Sequence, residues 1–352
     1  MSRLHVLAPG AFASVQDAGR HGWRRAGVPR SGALDATLLR IANRLVGNAD
    51  TAPAIECLDG GLRVAAEGGP VRVAVAGDAR LERRDADGRT ATVAPWRSVW
   101  LAPGEQLRLI DTGHGRIAML AVAGLVCTPV LGSAATYARA RLGGVDGRPL
   151  QAGDRLDATA PEGPELQLTH PPAADHGPMR VVPGPQLDHF AADALDALTA
   201  RDWRVSAEAD RMGMRLRGTA LAHVDAGRRE IVSDAIVPGA IQVPGNGQPI
   251  VLLADSQTAG GYPKIATVIS ADLGRLAALR PDARLRFTAV DVAGAETIAR
   301  EAAAALARTL AGIGPVRGDA AVDLAALYGN NLLSGMVNAL SPRMDDDAER
   351  GP

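Results

Sequence analysis

SVWLAPGEQLRLIDTGHGRIAMLAV, residues Ser98 to Val122, decides the fold class. Its runs Ser98–Ala102, Gln106–Ile110 and Arg116–Val122 are apolar or alternate apolar with polar. Pro, Gly and Asp cut between them at Pro103-Gly104 and Asp111–Gly115. Runs this short, bounded by turn residues, read as strands rather than helices. Val71–Ala76 upstream has the same character. One helix interrupts the pattern: Leu34, Leu38, Leu39, Ile41, Ala42 and Leu45 follow helical spacing from Asp35 to Val46, and Gly47-Asn48 supplies a stop. In this reading Ser31 caps that helix and Asp35 lies in its first turn, where a carboxylate is favoured.

The fold class expected is mainly β with some helix (α+β). Residues 1–172 form a first β-rich domain. The Pro-rich string His170–Pro178, HPPAADHGP, is the linker. A second β-rich domain over residues 173–293 is expected from the candidate strands Arg180–Val182, Arg215–Arg217, Glu230–Ser233, Ala240–Val243, Ile250–Ala254 and Ala283–Phe287. Asp188–Ala200 and Ser270–Leu279 have helical character. PGEQLRL (Pro103–Leu109) and PDARLRF (Pro281–Phe287) share a turn-then-strand pattern, a hint that the two halves are related barrels. Residues 294–352 shift to a helical extension: Ile298, Ala302, Leu306 and Leu310 make an amphipathic stripe, and Val322, Leu327 and Leu333 indicate another helix. The terminal MDDDAERGP is too polar to order itself.

A chain of 352 residues fits two domains of about 150 residues each and can bury a sizeable core. Its net charge of -1 argues against a phosphate-backbone binder, so no nucleic-acid partner is expected. Aromatic residues are only 3%, leaving Ala, Val, Leu and Ile to fill the core. The 2 cysteines, Cys57 and Cys127, cannot make a disulfide framework or a four-cysteine zinc site. The N-terminal MSRLHVLAPG lacks the apolar run of a secretory signal. The longest apolar stretch, Ile117–Val126, is half of the roughly 20 residues that cross a bilayer. A cytoplasmic protein with no membrane partner is expected.

Lys264 is the only lysine among 38 basic residues. Drift toward GC-rich codons exchanges dispensable Lys for Arg, and Arg serves equally well on a solvated surface. Arg does not replace a compact ammonium at a tight site, so the surviving Lys marks a position where chemistry demands it. A chance survivor is the bland alternative. With one Lys the chain cannot carry GxxxxGK[ST], and HExxH, GxSxG and CxxC are absent. The 7 His residues are scattered, and no metal site is expected.

What remains is a set of polar, Gly-punctuated strings. The densest is ADSQTAGGYPK, Ala254–Lys264, following the apolar strand Pro249–Leu253. It places Asp255, Ser256, Gln257 and Thr258 at a strand end. Gly260-Gly261 permits close backbone approach or positive φ, and Tyr262 and Lys264 flank a rigid Pro263. A carboxylate, an amide, a hydroxyl, backbone N–H groups and a unique ammonium within one short window are suited to bind an anion and polarise a carbonyl. An ornate hairpin turn is the competing reading. QDAGRHG brings Gln16, Asp17 and Arg20 between glycines, with an Asp–Arg pair holding a turn as its bland reading. Asn43, in an otherwise apolar helix face, needs partners if buried. In DRMGMRLRG, Asp210 and Arg211 are expected to pair, Arg211 facing inward and Arg215 outward. GAIQVP puts Gln242 at the end of a buried strand.

QDAGRHG, GVPRSGALD, IANRLVGN, GGVDGRPLQAGD, PGPQ, DRMGMRLRG, GAIQVP and GQPIVLLADSQTAGGYPK, continued by IATVISADLGRL, resemble the biotin-dependent carboxyltransferase, or allophanate-hydrolase-subunit-2, family over roughly residues 3–290. That family includes the C subunit of bacterial ATP-dependent 5-oxoprolinase, the KipA proteins and part of the carboxyltransferase region of urea carboxylase. GSAATY, Gly132–Tyr137, departs from the family's Ser-Arg-Ser-Thr pattern, and no role is carried onto it. The resemblance implies two cyclophilin-like β-barrel domains. It implies a KipI-like B subunit and an A subunit as partners, and ATP-dependent opening of 5-oxoproline to glutamate, with ATP and Mg acting at the level of the complex. The alternative activity is carboxyl transfer from carboxybiotin to urea or a related amide, and a non-catalytic partner of a KipI-like protein is a third reading. Both chemistries activate an amide-type carbonyl beside an anion. On this reading Lys264 binds the anion, Asp255 orients the substrate nitrogen or acts as base, and Gln257, Thr258, Gly260 and Gly261 shape the oxyanion pocket. Tyr262, Gln242, Arg211, Asn43, Arg20, Asp17 and Gln16 are the further substrate-binding candidates.

Overall fold

A computed structural model describes residues 2–159 and 162–316. The expected second tail helix at Val322, Leu327 and Leu333 and the terminal MDDDAERGP lie outside the described residues. The first half builds two antiparallel sheets. One contains Val71–Ala76, Ser98–Leu101 and Ile117–Val122 together with Phe12–Gln16 and Ala54–Leu58. Every residue of Val71–Ala76 and of Ile117–Val122 is buried. An apolar run without alternation is what a strand covered on both faces requires. One face packs Ile55, Val73, Val75 and Leu120 against Leu4, Val6, Val64, Leu81 and Leu109 of the six-stranded partner sheet. The other packs Ala74, Ala76, Met119 and Ala121 against Leu39, Ile41, Ala42 and Leu45 of helix α1, Ala36–Leu45. The outer sheet shows the alternation expected of one wet face: Leu107 and Leu109 are buried while Arg108 is exposed.

The N-cap of α1 is Asp35, not Ser31. The Asp35 carboxylate accepts from Thr37 N at 2.9 Å and Leu38 N at 3.0 Å. Ser31 instead sits at φ 52, in the left-handed region, and its buried hydroxyl has no partner among the described residues.

The second half forms an eight-stranded sheet whose two edges are consecutive in the chain. Arg284–Leu285 pairs with Trp203–Ala209 at one edge, and Phe287–Ala289 pairs with Met179–Pro183 at the other. Only Arg286 separates them, so the sheet is nearly closed into a barrel and exposes little unpaired edge. PDARLRF is therefore split across a barrel seam, whereas PGEQLRL leads into a single continuous strand, Gln106–Asp111, and the two strings are not equivalent. The core of this sheet includes Trp203, Val205, Leu216, Ile241, Val251 and Phe287. Leu34, Leu58 and Ile117 of the first half join it, so the two sheet systems share buried apolar contact.

Residues 169–178 are exposed and outside helix and strand. The helices expected over Asp188–Ala200 and Ser270–Leu279 are shorter, α2 at Ala194–Ala200 and α3 at Leu273–Ala277, each preceded by a 3-10 turn. Glu230–Ser233 is not a strand; the pairing segment is Asp234–Ala235, which bonds Ala259–Gly260. The tail helix α4 runs Val292–Ala311, capped by Asp291 accepting from Gly294 N at 2.7 Å. Of its stripe, Leu310 is buried against the α1 cluster, Ile298 and Leu306 are half-buried and Ala302 is exposed. Ile313–Pro315 then pairs with Leu166–Leu168, tying the tail to the first half. No described helix is long and apolar enough to cross a membrane.

Candidate functional site

Arg211 precedes strand Gly213–Arg217 and is 5% exposed. Its Nε donates to Asp255 Oδ2 at 2.9 Å and its Nη2 to Asp255 Oδ1 at 3.1 Å. Nη1 donates to Glu56 Oε1, and Nη2 also reaches Gly32 O at 2.6 Å. The second Glu56 oxygen accepts from Leu34 N at 2.7 Å. Burial alone would lower the Arg211 pKa, but the charges of Glu56 and Asp255 outweigh it and hold the guanidinium charged, above its ordinary value. Burial pushes the Glu56 carboxyl above the usual range, against the pull of Arg211. The expected Asp210–Arg211 pair does not form. Asp210 closes its own turn by accepting from Met212 N at 2.8 Å and Gly213 N at 3.2 Å. Arg215 is exposed and pairs with Glu208, as an outward residue should.

A cavity of about 320 Å³ opens beside this triad. Phe12, Leu58, Tyr137 and Met212 give it apolar walls, and Asp59, Arg116, Arg139, Arg211 and Asp255 give it polar ones. Of the residues nominated from the sequence, only Arg211 and Asp255 line it.

The QDAGRHG string braces the loop that leads to the cavity. Asp17 accepts from Ser133 Oγ at 2.6 Å, Ala134 N at 2.7 Å and Gly19 N at 2.7 Å. Arg20 is fully buried and donates to Val130 O at 3.1 Å and to Ala135 O. Gln16 Nε2 donates to Thr136 O at 3.2 Å and Ser14 Oγ at 2.9 Å. Asp17 and Arg20 thus hold loop 130–136 between them rather than each other. Burial lowers the Arg20 pKa, while the nearby Asp17 and Asp255 charges raise it. Gly32 at φ +84 lets its own segment lie against residues 17–19: a Cβ there would stand 2.7 Å from Gly19 N.

Lys264 lies apart from the cavity. It opens strand Lys264–Val268 opposite Gln242 and is 4% exposed. Its Nζ donates to Asp234 Oδ2 at 2.7 Å and Ala235 O at 3.1 Å. Gln186, the last residue of PGPQ, bonds both partners: its Oε1 accepts from Lys264 N at 3.1 Å and its Nε2 donates to Asp234 at 3.1 Å. Lys264 holds the Asp234 carboxyl below the usual range. Gln242 Nε2 donates to Tyr262 O at 3.3 Å. Gly260 permits a close approach without positive φ; a Cβ there would meet Ile236 Cδ1 at 2.6 Å and Gln242 Nε2 at 2.9 Å. Gln257 and Tyr262 are exposed, and Thr258 and Gly261 half-buried, beside this pair. Segment 255–264 therefore runs from the Arg211 triad at one end to the Lys264–Asp234 pair at the other.

Asn43 is fully buried and satisfied locally, donating to Ala52 O at 2.7 Å and accepting from Asn48 Nδ2 at 3.0 Å. Its partners belong to the turn after α1, not to either cluster. Sequence reasoning missed Glu56, Asp234, Tyr137, Arg116 and Arg139. Only Glu56 left a signal, as a lone carboxylate in the apolar run AIECL. Among the described residues no group of three or more His, Cys, Asp or Glu is placed to hold a metal ion.

The family described as carboxyltransferase domain, subdomain A and B, matches residues 26–289. The chain is 40% identical to the C subunit of the Escherichia coli 5-oxoprolinase, covering 78% of this chain and 87% of that one. It is 36% identical to the corresponding 5-oxoprolinase C subunit of Haemophilus influenzae, over 85% and 94%. The crystal structure of the K. lactis urea amidolyase superposes with a TM-score of 0.78 at 25% identity, covering 87% of this chain and 20% of that one. With the match spanning both sheet systems and the strings that build both clusters, this chain belongs to the carboxyltransferase domain, subdomain A and B, family.

Proposed function

We propose that the chain is the C-type subunit of an ATP-dependent 5-oxoprolinase, opening 5-oxoproline to glutamate together with A- and B-type subunits. The observation that carries this reading is the stronger likeness to the 5-oxoprolinase C subunit, 40% identical in E. coli, than to a urea amidolyase, 29% identical in Lachancea kluyveri. The geometry supports it as well. Cleaving a lactam requires a group to orient the ring N–H and donors to stabilise charge developing on the carbonyl oxygen; each such donor contributes about 3–4 kcal/mol.

Asp255 suits the first task, because Arg211 fixes its carboxylate from two nitrogens while it still faces a cavity. Lys264 and Asp234 suit the capture of an anion. The ammonium is pre-positioned by Asp234 and the Ala235 carbonyl, and an incoming oxyanion can displace the half-exposed Asp234 carboxylate and accept from the Lys264 ammonium in its place. Gln257, Thr258, Gly260 and Gly261 lie along the chain between the two and are the residues proposed to shape the oxyanion pocket. ATP and magnesium are proposed to act at the level of the complex, with no residue of this chain proposed to hold them. Co-purification with the A- and B-type partners, followed by glutamate release from 5-oxoproline with and without ATP, tests the reading. Release only with ATP and all three chains supports it; an inactive complete complex refutes it.

A further inference from the structure

We propose that the cavity beside Asp255 is a binding site for a small carboxylate carrying an amide N–H, with Arg139 taking the carboxylate; this rests on the 5-oxoprolinase reading and names the substrate's seat within it. Most charges in the cavity are already committed. Arg116 Nη2 is bonded to Asp59 at 2.8 Å, Arg211 to Asp255 and Glu56, and Asp210 to its own turn. Arg139 is exposed, makes no ion pair or side-chain hydrogen bond among the described residues, and lines the cavity. Arg116 adds a buried Nε without a partner among those residues. The Arg139 guanidinium is thus uncommitted in the same cavity lining as an ordered acceptor, Asp255.

The remaining lining is Phe12, Leu58, Tyr137 and Met212, suited to the faces of a small ring. A volume of about 320 Å³ falls at the low end of small-molecule sites, about 300–1,000 Å³. A ligand with an anionic end, an apolar body and a hydrogen-bond donor satisfies all three walls at once. The placement of Arg139 is also built in. It follows the loop that Gln16, Asp17 and Arg20 clamp through Thr136 O, Ser133, Ala134, Val130 and Ala135. That gives the QDAGRHG string a positioning role: it sets the loop that presents Tyr137 and Arg139.

The test has two arms. Saturation-transfer NMR on the isolated chain compares 5-oxoproline with 2-pyrrolidinone, the same lactam without its carboxylate. Wild type should bind 5-oxoproline about tenfold to a hundredfold more tightly, the value of one charge-assisted contact. Arg139→Gln should erase that preference, and Arg139→Lys should restore part of it. In the complete complex, Arg139→Gln should raise KM for 5-oxoproline by a similar factor, with the loss in KM more than in kcat. An active wild-type complex whose Arg139→Gln variant keeps its KM overturns this inference and leaves the 5-oxoprolinase reading intact. An inactive wild-type complex refutes that reading, and the NMR arm then decides this one: equal binding of the two lactams by wild type overturns it.

Discussion

Arg211 and Asp255 meet through two hydrogen bonds, at 2.9 and 3.1 Å, although 44 residues separate them, and the same guanidinium reaches Glu56 in the other half of the chain. One cation thus joins carboxylates from both sheet systems in a place where water cannot replace it. Removing it leaves two buried carboxylates without their counter-charge. Arg211→Met should cost about 3–5 kcal/mol of unfolding free energy. Urea denaturation of the isolated chain measures it, and a loss below about 1 kcal/mol would show that the triad is not a structural joint.

Lys264 holds Asp234 at 2.7 Å from a buried position, where a planar guanidinium and a compact ammonium are not interchangeable. Lys264→Arg should keep the fold, by circular dichroism, while lowering turnover of the complete complex at least about tenfold, the loss of one well-placed charge contact. Wild-type turnover from a folded Lys264→Arg complex would remove Lys264 from the machinery.

Gly32 lies at φ +84 with its missing Cβ aimed 2.7 Å from Gly19 N. Gly32→Ala should destabilise by roughly 2 kcal/mol or more, because both the backbone conformation and the contact oppose a side chain. Gly22 at φ +84 has open space, so Gly22→Ala should cost only the conformational part, about 1 kcal/mol. Thermal unfolding of the two variants separates strain from contact; equal losses would contradict the close packing of residues 17–19 on 30–32.

Burial lowers the His223 pKa below its ordinary 6.5, its ring stacked on Phe190 at 5.0 Å. The unfolded chain therefore takes up a proton near pH 6.5 that the folded chain accepts only at lower pH, and stability falls as pH drops through that window. Asp272 acts further down. Burial alone would raise its carboxyl, but bonds from Arg180 and the charge of Arg275 leave it below the usual range, so its contribution is complete above about pH 4 and lost beneath it. His223→Gln should flatten the stability profile between about pH 5 and 7 without altering the acid limb. A variant that keeps the wild-type slope there would rule His223 out as its source.

Burial pushes the Cys57 thiol up to about 12 and the Cys127 thiol up to about 11. At about pH 8 the thiolate fraction is then on the order of 10⁻⁴ for Cys57 and 10⁻³ for Cys127. Iodoacetamide should leave the buried Cys57 unmodified in the native chain, react only slowly with the half-buried Cys127, and alkylate both in urea, as read by intact mass. Alkylation of Cys57 in the native chain would contradict its burial.

The β-rich character was legible because strand, turn and burial leave local marks: the unbroken apolar runs Val71–Ala76 and Ile117–Val122 became strands covered on both faces. The barrel seam at Arg286 was not, since closure depends on which strands meet. Lys264 and Asp255 stood out because rare residue types fell among glycines. Asp234, the partner of Lys264, did not, because nothing local distinguishes a carboxylate that meets its cation across 30 positions; Glu56 was visible only as a lone charge in AIECL, with nothing to point to Arg211, 155 positions away. Asp35 took the cap expected of Ser31 for a similar reason. Both are good caps by type, and the close contact of residues 30–32 with 17–19 left only Asp35 free to turn onto the helix.

If this chain supplies Asp255 to the ATP-dependent opening of 5-oxoproline, the direct measurement is glutamate release by the complex assembled with wild-type chain or with Asp255→Asn, after gel filtration confirms that both assemble. ATP-dependent release is expected from the wild type, with a fall in kcat of at least about a hundredfold in the variant. Equal rates from the two complexes would contradict that role.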